Sequence, residues 1–132
     1  MMAEYQRKRG NKYILPTATY NATIWIIRDY YRMKEDAANI LVSSPEDDGQ
    51  PKGGGTGDPV FSKAAQREEL IRRITVIEGE RDKIPEVYRE GVWQNVLYRS
   101  GYPTSTVPAD RTTFARHKSR FVYGVAKKLK MI

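Results

Sequence analysis

Between Arg111 and Ile132 the chain carries seven basic side chains and no acid. Arg116, Arg120, Lys127 and Lys128 are interspersed there with Thr112, Thr113, His117 and Tyr123. An arginine offers a planar fork of N–H donors that matches two oxygens of a phosphate, or O6 and N7 of guanine. Threonine and tyrosine hydroxyls reach phosphates, and a threonine methyl packs on the thymine methyl. Fixed positive charge combined with such donors suits a polyanion, double-stranded DNA above all. In a DNA-reading helix the first turns meet base edges, which points to Thr112, Thr113, Arg116, His117 and Arg120. Lys127, Lys128 and Lys130 come later and suit phosphates. Asp110 is placed to cap this helix, whose N-terminal N–H groups can also hold a phosphate.

Other chemistries find little support. The 132 residues include no cysteine and one histidine, His117. Thiolate catalysis, disulfides and the usual structural zinc sites are therefore excluded, and no metal or cofactor is expected. No nucleophile–base pair stands out, so no catalytic residue is assigned and the chain is not expected to be an enzyme. Glu78, Glu80 and Asp82 fall in a charged helix end, where solvated ion pairs are the default reading. Gly53-Gly54-Gly55-Thr56-Gly57 lacks the G-K-[ST] ending and preceding strand of a phosphate loop, and reads as a linker. No apolar run approaches the ~20 residues that span a bilayer. The basic N-terminus is followed by no apolar stretch of signal type, so a protein retained in the cell that makes it, with no membrane partner, is expected.

The basic residues must be held by a helix. At 100° per residue, Phe114, Phe121, Val122, Val125 and Leu129 share one face of a helix from Arg111 to about Leu129. Thr112, Thr113, Arg116, Arg120, Tyr123 and Lys127 fall opposite, with His117 at the edge. Upstream, Pro85 opens a helix from Glu86 to about Ser100 with Tyr88, Val92, Trp93, Val96 and Leu97 as its stripe. Gly101 to Pro108 is a stiff turn, since Pro103 and Pro108 bar a regular helix. Tyr20, Ile24, Ile27, Tyr31, Lys34, Ala38 and Leu41 define a first helix over 17–42, capped by Thr17, with Trp25 expected in the core. Residues 1–15 read as a loose arm. Leu70, Ile74, Ile77 and Ile84 form a seam on a second helix over 62–84. The Gly- and Pro-rich stretch 43–59 joins the two helices, which are expected to dock as an αα-hairpin. No strand-type alternation occurs, so the fold class is all-α. The expected division is an arm and hairpin over 1–84 and a helix-turn-helix-like module over 85–132. Charge divides unevenly too: the net +7 is +1 up to Gln66 and +6 from Arg67 onward.

Several stretches resemble a known family. These are Ile84-Pro85-Glu86-x-Tyr88-Arg89-x-Gly91-x-Trp93, then Tyr102-Pro103, then Thr112-Thr113-Phe114-x-Arg116-x-Lys118-x-Arg120-Phe121 through Ala126-Lys127-Lys128-Leu129. Together they resemble the C-terminal domain of phage-encoded transcriptional regulators of the RinA type, which is itself similar to the promoter-reading region 4 of sigma factors. Trp25-Ile26-Ile27-Arg28-Asp29-Tyr30-Tyr31-Arg32-Met33-Lys34, followed by a Gly/Pro loop and a charged helix, fits the same layout. The resemblance covers about 20–129. It implies activation of late or packaging genes through promoter binding in the cytoplasm of the bacterial host. One departure is plain. Sigma-like modules carry a short E-I-A-x-x-L helix before the reading helix, whereas Gly101 to Ala109 is proline-rich and lacks it. The connection is about ten residues, against three or four in a standard motif. Either the Glu86 helix is the first helix of the motif, or 102–109 holds a short helical turn.

The expected partners are double-stranded DNA, host RNA polymerase, and a second copy through helices 17–42 and 62–84. Two other functions fit the same residues. One is a small DNA-packaging protein resembling a terminase small subunit. The other is a structural adaptor whose basic helix binds an acidic protein.

Overall fold

The computed structural model describes residues 12–43, 59–99 and 111–132. Among them are helices α1 (Thr17–Arg28), α2 (Tyr30–Ser43), α3 (Pro59–Asp82), α4 (Glu86–Tyr98) and α5 (Arg111–Lys128), and no strand. The fold is all-α, as the sequence predicts. No helix of the described residues is long and apolar enough to cross a membrane. The expected linker 43–59 and the turn from Gly101 to Pro108 lie almost wholly outside the described residues, as does Asp110. The chain divides into two compact units, one made of the segments up to Asp29 and from Val76 onward, the other Tyr30–Thr75.

In the first unit, α1, α4 and α5 pack against one another pairwise. Pro16 occupies the N-cap of α1 in an extended conformation, and its carbonyl accepts the Tyr20 N–H at 2.9 Å. Thr17 is thus the first helical residue and not the expected cap. The buried face of α1 is Tyr20, Thr23, Ile24 and Ile27. The hydroxyl of Thr23 donates to Thr19 O at 2.7 Å, satisfying a polar group that the core encloses. α4 buries Val92, Trp93 and Val96, and α5 buries Phe114, Phe121, Val122, Val125 and Ala126, with Leu129 just beyond its end. Trp93 meets Phe121 edge-on at 6.3 Å between ring centroids. The C-terminal part of α3 adds Ile77, and Ile84 follows it into the core.

The joints are made by side chains and tight turns. Lys83 and Ile84 donate to carbonyls three residues back, Glu80 O and Arg81 O, closing α3. Pro85 then caps α4, and Arg89 Nη2 donates to both Asp82 O and Ile84 O. At the far end of α4, Arg28 Nε from α1 donates to Val96 O at 2.7 Å, meeting a carbonyl of the last turn. α5 closes in a Schellman motif: Met131 N–H bonds to Ala126 O, Lys130 N–H to Lys127 O, and Lys130 adopts φ 60°. That turn brings Met131 Sδ to 3.5 Å from the Thr23 hydroxyl on α1.

The second unit contains α2 and α3 up to Thr75. α2 buries Tyr30, Met33 and Ala37, and α3 buries Ile74 there. Asp36, Asn39 and Ile40 of α2 line a groove with Gln66, Glu69, Leu70 and Arg73 of α3. Glu69 accepts from Arg72 at 2.8 Å and from Arg73 at 3.1 Å, and the Arg72 hydrogen bond leads the causes that hold its carboxyl below the ordinary range.

Several expectations need correction. The helix over 17–42 is interrupted at Asp29, whose N–H bonds to Ile26 O three residues back and whose φ −85°, ψ 3° lie in the bridge region. Beyond that break the buried stripe is Tyr30, Met33 and Ala37, while Tyr31, Lys34 and Ala38 are exposed. Trp25 is 52% exposed, its ring 5.1 Å from the Arg28 guanidinium. Of the expected loose arm over 1–15, residues 1–11 lie outside the described residues, and its end is docked, since Leu15 is buried. α1 packs on α4 and α5 instead of forming a hairpin arm, so the division into 1–84 and 85–132 does not follow the compact units.

Candidate nucleic-acid interface

α5 presents two distinct longitudinal strips beside its core face. Arg116, Arg120 and Lys127 lie within about 40° of one another at 100° per residue, and all three are exposed. Thr112 and Thr113, in the first turn, are half-buried on the same side. Tyr123 lies in that strip too, but it is half-buried, with the Tyr13 ring 5.5 Å away. A residue of the N-terminal segment thus covers part of the surface expected to meet DNA.

The second strip, about 60–100° around the helix, holds His117, Gly124 and Lys128. His117 is half-buried, its ring 4.6 Å from that of Tyr88 on α4. Burial lowers its pKa below the ordinary imidazole value, and Arg120 and Arg116 push the same way. The ring is neutral at pH 7, offering one donor and one acceptor instead of a charge. Lys128 has its Nζ 3.3 Å from Glu80 Oε2, so its ammonium is already engaged by a carboxylate.

Glu80 is the residue that sequence reasoning misplaced. It is not solvated but 6% exposed, and its carboxylate lies against Gly124. A Cβ on Gly124 would stand 2.8 Å from Glu80 Cδ, so only glycine lets the carboxylate approach the α5 backbone this closely. Glu80 Oε2 also accepts from Lys83 Nζ at 2.9 Å. A glycine inside an otherwise helical pattern asks for a packing reason; Gly124 has one in Glu80, whereas a Cβ on Gly79 of α3 would meet nothing within 4 Å.

Of the eight predicted site residues, the structure gathers all on α5 and exposes Arg116, Arg120, Lys127 and Lys128. It half-buries Thr112, Thr113, His117 and Tyr123. The core residues Phe114, Phe121, Val122 and Val125 occupy the opposite side, where the half-buried Lys118 also falls, so it is the exposed row, and not every basic residue of α5, that is set apart from the apolar face. Such a helix can lay a row of cations along a polyanion without disturbing its own packing. Set beside known proteins, the chain matches no protein-family model, no curated protein and no solved structure.

Proposed function

We propose that this chain is a DNA-binding transcriptional regulator, of the phage RinA type that its sequence resembles, which binds double-stranded DNA through α5. In that role it activates late or packaging genes in the cytoplasm of the bacterial host, alone or beside host RNA polymerase. The observation that carries the reading is the exposed row Arg116–Arg120–Lys127, backed by an apolar core face and accompanied by no acid on the same helix. Seven basic residues in this segment give the electrostatic attraction, and the two arginines give geometric discrimination.

The test is selection of the full chain against random duplex DNA at near-physiological salt, followed by affinity measurement on the enriched site. The double variant Arg116→Ala, Arg120→Ala is expected to bind that site at least about tenfold more weakly and to lose base preference. Unchanged affinity and preference in the double variant would sink the reading. Binding without enrichment, fading steeply with salt, would favour a packaging role over a promoter reader. Absence of binding would turn attention to an acidic protein as the partner of the helix.

A further inference from the structure

The end of α3 brings a cation to α5 from outside that helix. Lys83 follows the last turn of α3, and its Nζ donates to Glu80 Oε2 at 2.9 Å. The same oxygen lies 3.3 Å from Lys128 Nζ. A carboxylate as buried as Glu80 requires partners, and the two ammonium groups supply them. Both lysine side chains nevertheless remain about half exposed, at 48% and 54%. Each ammonium has three donors, so engagement by one carboxylate oxygen leaves further hydrogen-bonding capacity.

Arg120 and His117 line one shallow hollow with Glu80, Lys83, Ile84 and Phe121. Lys83 and Arg120 line the hollow and Lys128 adjoins it through Glu80, giving three positive charges against one negative, and the neutral His117 adds a polar ring. The excess charge is positive and its donors are held by a buried anchor. Glu80 thus fixes the lysines side by side where two free side chains would diverge. The Lys83 pKa is raised above the ordinary lysine value, first by the hydrogen bond to Glu80, while Arg120 opposes the rise. Lys83 therefore stays charged at any physiological pH despite its cationic neighbours.

We propose that Lys83, Arg120 and Lys128 form a binding site for a phosphodiester of the DNA backbone, with Glu80 positioning the two lysines. Arg120 belongs both to this cluster and to the exposed row, so the phosphate held here is continuous with the strand that α5 faces. The site rests on the reading of α5 as a DNA-binding helix. It adds to that reading a contact from the α3–α4 junction and makes the end of α3 part of the DNA-binding unit.

The experiment measures duplex binding of the full chain over a range of salt concentrations for the wild type, Lys83→Gln and Lys63→Gln. The last variant removes one positive charge from an exposed site in the other unit. Lys83→Gln is expected to weaken binding about fivefold to tenfold at 0.1 M salt, equally for all sequences. It should also reduce the slope of log K against log salt by about 0.9, more than Lys63→Gln does. Thermal melting of each variant verifies that the fold is retained. If the wild type binds DNA and Lys83→Gln keeps its affinity and slope, the site is overturned while the α5 reading stands. If the wild type binds no DNA, both fall. A second arm heats the wild type and Lys83→Gln in inorganic phosphate against chloride at matched ionic strength. Phosphate stabilisation that depends on Lys83, with an unchanged DNA slope, would assign the cluster to the free ion and overturn the DNA assignment.

Discussion

Gly124 shows how one missing side chain fixes the meeting of two helices. A glycine inside a helix costs ~1 kcal/mol relative to alanine, so its presence on α5 needs a local reason. The reason is Glu80, whose carboxylate occupies the space a Cβ would take. Gly124→Ala therefore has two opposed effects. It restores helix propensity, and it displaces a carboxylate that holds Lys83 and Lys128. With Glu80→Ala in place only the first effect remains, and Gly124→Ala is then expected to stabilise by about 1 kcal/mol. A double-mutant cycle over the four proteins, read from urea unfolding, should give a coupling of about 1 kcal/mol that disfavours the Gly124→Ala methyl beside an intact Glu80. Additive free energies would mean that Glu80 swings clear of the new methyl at no cost. Sequence reasoning saw Glu80 only as one charge among Glu78, Glu80, Arg81 and Asp82. Nothing in that local run indicates that the third dimension places it under another helix.

Helix faces were legible where the helix is continuous. On α5 the 3.6-residue period separates Phe114, Phe121, Val122 and Val125 from Arg116, Arg120 and Lys127, and the structure buries the first set and exposes the second. On α4 the period identifies Val92, Trp93 and Val96 in the same way. The reading failed between Ile27 and Leu41 because it assumed one unbroken helix. The three-residue hydrogen bond at Asp29 advances the phase, so Tyr30 and Met33 take the positions that an uninterrupted period assigns to Tyr31 and Lys34. Trp25 is exposed for another reason: aromatic character suggests a core position, but at 100° per residue it lies nearly opposite the Tyr20–Ile24–Ile27 face. The two tryptophans accordingly should respond very differently to truncation. Trp93 is 2% exposed, packed on Phe121 and covered by the Arg81 guanidinium 4.6 Å from its ring. Trp93→Ala is expected to cost ~3–5 kcal/mol, and Trp25→Ala less than about 1 kcal/mol, by denaturant midpoints. Comparable losses at both sites would mean that Trp25 is covered in solution.

At the scale of the whole chain, the core that supports α5 is assembled from segments far apart in sequence. Periodicity states that a face is apolar but not what covers it, which is why the expected boundary at 84/85 misses the part played by α1. Ile24 and Ile27 of α1, Val92 and Val96 of α4, and Val122 and Val125 of α5 are all fully enclosed, and the three helices pack on one another. Removing α1 would uncover one side of both remaining helices. A fragment of residues 85–132 is also near the size at which a single core barely offsets chain entropy. It is therefore expected to show weak helicity by circular dichroism and no cooperative thermal transition, whereas the intact chain melts cooperatively. Extending the fragment back to residue 76 restores Ile77 and Glu80 but still lacks α1. Adding a separate peptide of residues 12–29 to that longer fragment should raise helicity in a saturable way, since α1 then docks from solution. If residues 85–132 alone melt as the intact chain does, α1 is a dispensable cover and the DNA-binding unit is autonomous. If they do not, the exposed basic row of α5 depends for its support on α1, a helix that ends at Arg28, far upstream of Arg111 where α5 begins.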